Sequence, residues 1–99
     1  MSKWNIPKEG EKMKTIHKYQ MKDLVSPVMM PEGAEILAIQ LQDSMICIWA
    51  MVDKDAQMIE RDIVVCGTGQ KLPEDMRGYK YITTLQMNVY VWHLFEKVL

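Results

Sequence analysis

The stretch Gly33-Ala-Glu-Ile-Leu-Ala-Ile-Gln-Leu-Gln-Asp-Ser-Met-Ile-Cys-Ile-Trp-Ala-Met-Val-Asp53 decides the fold. Two runs rich in Ile, Leu, Met and Trp flank Gln42-Asp43-Ser44, a polar trio that tolerates turn conformations which β-branched residues resist. The pattern predicts a strand, a tight connection and a second strand. Period-two alternation puts Leu37, Ile39 and Leu41 on one face of the first strand and Ile36, Ala38 and Gln40 on the other. In the second strand Met45, Cys47, Trp49 and Met51 oppose Ile46, Ile48, Ala50 and Val52. Neither face is cleanly polar, so this hairpin is expected at the centre of the domain, covered on both sides.

Upstream of the hairpin, Thr15 to Met21 carries β-favouring residues with Thr15, His17, Tyr19 and Met21 on one face. A half-exposed strand fits, and a helix competes with it, because Met13, Ile16, Gln20 and Leu24 also align at helical spacing. Val25-Ser26-Pro27 bends the chain, Val28-Met29-Met30 is extended, and Pro31-Glu32-Gly33 signals a turn. Residues Met1 to Lys12 are dominated by Lys, Glu and Gly and offer only Trp4 and Ile6 for burial, so they read as a flexible leader. The domain proper is expected to run from 13 to 99.

Downstream, Asp53-Lys54-Asp55-Ala56 is a charged loop, and Met58 to Cys66 is a strand with a wet first half and a buried second half. Gly67-Thr68-Gly69 ends it. Gln70 to Gly78 reads as an exposed loop with one helical turn near Pro73-Glu74-Asp75-Met76. Tyr79 to Met87 and Val89 to Phe95 form the last two strands, joined tightly near Asn88. Tyr79, Tyr81, Thr83 and Leu85 share a face of the first. Tyr90, Trp92 and Leu94 oppose Val89, Val91, His93 and Phe95 in the second, and Glu96 to Leu99 is a short tail. Six or seven short strands with hairpin-length connections predict an all-β, single-domain antiparallel β-sandwich or partly closed barrel.

Composition bounds the function. The 99 residues suit one domain, and 48% hydrophobic with 25% charged residues argues against overall disorder. A net charge of -1 gives no general attraction for long nucleic acid or an anionic membrane. No apolar run reaches the about 20 residues that span a bilayer. The two cysteines, Cys47 and Cys66, sit in apolar runs, where a buried free thiol is commoner than a disulfide, and this assigns a reducing, cytosolic setting. The ten methionines suit either an adaptable contact surface or the gaps of a small core.

Five stretches carry a resemblance: Lys14-Thr15-Ile16-His17-Lys18-Tyr19, Met30 to Leu37, Cys47 to Asp53, Val65-Cys66-Gly67-Thr68-Gly69 and Trp92-His93-Leu94-Phe95-Glu96. In these the chain is similar to a family of short bacteriophage-encoded proteins of unknown function, over residues 13 to 96. Cys66 departs from the aliphatic residue expected before Gly-Thr-Gly. The resemblance implies a phage product made in the cytoplasm of the infected bacterium. By analogy with small phage proteins, it implies a host-defence antagonist.

No pairing among His17, Cys47, Cys66 and His93 has metal-ligand spacing, and the apolar company of both cysteines disfavours a reactive thiolate. No catalytic residue, metal or cofactor is therefore expected. The sharpest local feature is Gly67-Thr68-Gly69, where two glycines let backbone N–H groups approach a ligand; the alternative is a plain strand-ending turn. Arg61 and Arg77 are the only arginines, and so the only candidates for forked recognition of an anion. Trp49 reads as a core residue, and Trp92 as either core or contact. The expectation is a binding protein in which Arg61, Gly67, Thr68, Gly69, Arg77 and Trp92 receive a small anionic, nucleotide-like ligand, or which captures a host protein. The alternative is a structural or accessory protein working through its oligomer surface, as a homodimer or higher homo-oligomer.

Overall fold

The computed structural model describes residues 13–25 and 27–99, and the leader foreseen over Met1–Lys12 lies outside them. Seven strands follow in chain order: β1 (Thr15–Gln20), β2 (Val28–Pro31), β3 (Glu35–Gln42), β4 (Met45–Val52), β5 (Met58–Gly67), β6 (Tyr79–Met87) and β7 (Tyr90–Lys97). They form a three-stranded sheet, ordered β1-β4-β3, and a four-stranded sheet, ordered β2-β5-β7-β6. Every pairing is antiparallel, and the sheets do not close into a barrel. The strand alternative holds over Thr15–Gln20, and none of the described residues is helical, including Pro73–Met76, where one helical turn was expected.

The central hairpin forms as its sequence predicts. Gln42 pairs with Met45, and the two residues between them take left-handed conformations, Asp43 at φ 52 and Ser44 at φ 65. Two positive φ angles in a two-residue loop match the right-handed twist of the flanking strands. The hairpin is not central as a whole: β4 lies between two neighbours, whereas β3 is an edge. The β4 alternation is as read, with Ile46, Ile48, Ala50 and Val52 all buried in the core.

Two β-bulges change the faces expected elsewhere. In β3 the register shifts between Ile36 and Ala38, so Ile36 lies opposite Ala50 and joins Ile39 and Leu41 on the inner face, while Leu37 is left 49% exposed. In β6 it shifts between Tyr81 and Thr83, so Thr83 and Leu85 face Leu94 and Trp92, and Tyr79 and Tyr81 stay on the outer face. A bulge inserts one residue without a partner, and with a side-chain period of two this swaps every position beyond it.

The inner faces meet in one core. Ile39, Ile46, Ile48, Ala50 and Val52 from the first sheet pack with Val28, Met30, Ile63, Leu85 and Leu94 from the second, and Met21 and Ala34 close it at the connections. Met30, Ile48 and Leu94 are fully enclosed. Each such side chain contributes about 1.5–3 kcal/mol by leaving water. The methionines divide between both uses: Met21 and Met30 are core, while Met13, Met29, Met45 and Met58 are exposed. Cys47 and Cys66 are free thiols in different sheets.

Candidate functional site

The sheets approach each other along β3 and β6, which share no backbone ladder. Among the described residues each is an edge: β3 pairs only with β4, and β6 only with β7. Between them lies a cleft of about 850 Å³ lined by Gly33–Gln40, by Lys80–Thr83, and by Lys14, Arg61 and Glu96. Both bulges fall within those lining runs. Bulges gather at sheet edges and beside sites because they stop pairing and redirect side chains, and here they stand where β3 and β6 would otherwise be free to zip together.

An ion pair borders the cleft. Arg61 projects from β5 on the same face as Ile59 and Ile63, and Glu96 projects from β7 on the same face as Trp92 and Leu94. Arg61 Nε–H donates to Glu96 Oε2, Nη2 donates to Glu96 Oε1 at 3.0 Å, and Nη1 donates to the Ala34 carbonyl oxygen at 2.8 Å. The side chains are only 17% and 11% exposed. Hydrogen bonding to Glu96 raises the Arg61 pKa above its ordinary value, outweighing the burial that would lower it. Through Ala34 the pair ties the start of β3 to the second sheet. Glu96 belongs to β7 and is buried, where a short tail was expected.

The second polar assembly crosses the outer face of the second sheet. Thr68 Oγ1 is hydrogen-bonded to His93 Nε2 at 2.7 Å, and His93 Nδ1 to Thr84 Oγ1 at 3.0 Å. Thr84 Oγ1 is hydrogen-bonded in turn to the Tyr81 hydroxyl at 2.6 Å. The ladder explains the row, since Cys66, His93 and Thr84 are register partners across β5, β7 and β6. A smaller cavity of about 300 Å³ opens beside its Thr68 end, lined by Cys66–Gln70, Leu72, His93 and Phe95. At its other end Tyr81 reaches the large cleft.

The structure brings Gly67, Thr68, Gly69 and Trp92 together. Trp92 pairs with Gly67 and lies on the inner face, packed against the core and stacked on Tyr90 with centroids 5.7 Å apart. Its Nε1–H is buried and has no hydrogen-bond partner among the described residues. The Gly-Thr-Gly amides are largely engaged. Gly67 N–H donates to Gln70 Oε1 at 2.7 Å, Thr68 N–H to the Val91 carbonyl at 3.1 Å, and Gln70 N–H to the Gly67 carbonyl at 3.0 Å.

Neither arginine joins this turn. Arg61 is six residues from Gly67 along β5, about 20 Å at strand rise. Arg77 lies before β6, beside Gly78, Tyr79 and Lys97, and forks onto Asp75 with Nη2 at 2.8 Å from Oδ2. The Arg77 side chain and amide hold the Asp75 carboxyl below its usual range.

Sequence reading passed over Lys14, Lys80, Glu96 and the bulged edges. Glu96 had a signal, because a carboxylate that continues the inward alternation of Trp92 and Leu94 needs a partner, and Arg61 continues the matching row on β5. The edges had none, since sheet order is not local information.

A small two-sheet β protein with an open seam and a polar cleft along it is the class that this geometry defines. Residues 13–99 match a domain of unknown function, DUF7352, and the chain belongs to that family. No curated protein and no solved structure matches it. No described helix is long and apolar enough to cross a membrane.

Proposed function

We propose that this chain is a non-enzymatic binding protein whose seat is the cleft between β3 and β6. There it sequesters a small nucleotide-like signal or a segment of a host protein. The resemblance of five sequence stretches to short phage-encoded proteins supports a phage product that opposes host defences in the cytoplasm of the infected cell. The observation that carries the reading is the cleft itself: two unpaired, bulged strand edges hold open a volume of ligand size beside a saturated Arg61–Glu96 pair.

Binding rather than chemistry fits the polar groups. Thr68 and His93 pair a hydroxyl with an imidazole, but three amides around the adjacent turn are already bonded and do not offer an oxyanion seat. In the cleft, Arg61 and Glu96 cancel one another, and the charges left over among the described residues are Lys14, Lys80 and Glu35. That one-charge positive excess favours an anionic group.

Isotope-labelled full-length protein titrated with adenine and guanine nucleotides and, separately, with extended acidic peptides is the direct test, and either kind of probe can report the seat. Shifts confined to the amides of 33–40 and 80–83, lost in Lys80→Glu, are expected. Shifts centred on 67–70 instead would move the seat to the Gly-Thr-Gly turn.

A second reading is a structural protein acting as a homodimer or higher homo-oligomer. It is favoured by the outer face of the first sheet, where exposed Ile16 pairs with half-buried Met51, and Trp49 is the next outward residue along β4.

A further inference from the structure

We infer that the occupant of the cleft is an extended, acidic segment of polypeptide that adds a strand to β3; this deepens the binding reading above and rests on it. The walls carry the argument. A groove lined by side chains of one strand face would show every second residue of that strand. This one is lined by eight consecutive residues of the β3 region, 33–40, and by four consecutive residues of β6, 80–83. Consecutive residues mean that each strand meets the cleft along its edge. A free strand edge presents a row of unpaired N–H and C=O groups, which another extended backbone satisfies in full and a compact ligand does not.

The bulges explain why the chain does not fill the seam with itself. The register breaks at Ile36/Ala38 and Tyr81/Thr83 lie on the two strands that bring the sheets together, so the edges stay unpaired across it. The edge of β3 beyond its bulge, Ala38–Gln42, remains a regular template. The Arg61 hydrogen bond to the Ala34 carbonyl anchors the chain just before β3, on the near side of the bulge.

Charge selects the sequence of the guest. Arg61 and Glu96 neutralise each other, and Lys14 and Lys80 outnumber Glu35 among the remaining lining charges. Lys80 is the register partner of Glu96 and lines the cleft, and its ammonium has no hydrogen bond or ion pair among the described residues. A nucleobase finds little to stack on, since Tyr81 is the sole aromatic residue in the lining among the described residues.

The test uses the full-length chain, labelled with nitrogen-15, and the blocked heptapeptide Thr-Glu-Val-Thr-Val-Glu-Thr as probe. The expected result is that amides of 36–40 and 80–83 shift and that hydrogen exchange slows at alternate residues of β3. Replacing both probe glutamates by lysine, or Lys80 by Glu, weakens binding about tenfold or more, the size of a lost charge-assisted contact. N-methylation separates backbone pairing from simple charge attraction. Methylating one alternate set of peptide nitrogens abolishes binding and methylating the other leaves it, because only every second residue bonds to a given neighbour.

Equal binding by both methylated series, or by the lysine peptide, overturns the inference. If ADP moves the cleft amides and the peptide does not, the cleft is still the seat and the peptide inference alone falls. If neither probe moves them, both fall.

Discussion

Glu96 and Arg61 lie 35 positions apart and meet through two hydrogen bonds in the core margin. Breaking a buried pair leaves a charge without compensation, while replacing both partners by apolar residues of similar volume is often neutral. Glu96→Leu alone is expected to cost about 2–4 kcal/mol in urea unfolding, slightly discounted for the residual exposure of both side chains. Arg61→Met with Glu96→Leu should recover most of that loss. A double variant as unstable as the single one would show that the Arg61 bond to the Ala34 carbonyl matters to the fold in addition to the ion pair. The Asp75–Arg77 pair makes a contrast because it stands in open solvent. Asp75 has a folded pKa below its unfolded one, so any stability it gives is present above pH of about 4 and is lost as pH falls through the folded value. Asp75→Asn should therefore shift the thermal midpoint by no more than about 1–2 °C at pH 7. At pH below the folded pKa of Asp75, or in high salt, the difference should vanish, which thermal scans across pH would show.

Strands carry their own logic one level up. In β3 the bulge residue Leu37 interrupts an otherwise regular alternation: Ile36 inward, Ala38 outward, Ile39 inward. Deleting Leu37 restores a straight ladder without moving any core side chain to the other face. The protein should stay folded, losing no more than about 1–2 kcal/mol for a half-exposed residue, while the straightened edge narrows the cleft and weakens ligand binding. Deleting Trp49 from the unbulged β4 is the control. It flips one half of a fully paired strand and should abolish folding, seen as loss of near-ultraviolet dichroism. If both deletions unfold the chain, the bulge is needed for stability and not for the cleft.

At the scale of the molecule, the two sheets share one core but join along one side, at β3 and β6. Apolar surface remains outside: Val25, Val89 and Leu99 are scattered singly, which is ordinary, whereas Ile16 and Met51 are paired on the outer face of β1 and β4. The oligomeric reading makes that face the contact. Light scattering at micromolar concentration is expected to give at least twice the mass of one chain, and Ile16→Lys is expected to return it to a monomer. A wild-type chain that stays monomeric at high concentration removes that reading and leaves the cleft as the functional surface.

The hairpin around Asp43-Ser44, the strand alternation of β4, β5 and β7 and the all-β class were legible in the sequence, because turn tolerance and period-two burial are properties of neighbouring residues. The faces of β3 and β6 were not. One unpartnered residue in each reverses the alternation, and which residue is left out depends on how the partner strand lies alongside. Glu96 stood within reach of sequence reasoning, as a charge on an inward-facing row. Its partner Arg61 was singled out instead as a contact for anions, and only the packing of β5 beside β7 shows its charge already matched. Gly67, Thr68 and Gly69 form the turn that their glycines suggested, but most of its donors point back into the protein, a fact set by Gln70 and Val91 together. The cleft belongs entirely to the tertiary structure. It exists because two strands distant in sequence became the facing edges of two sheets and bulges kept them from pairing.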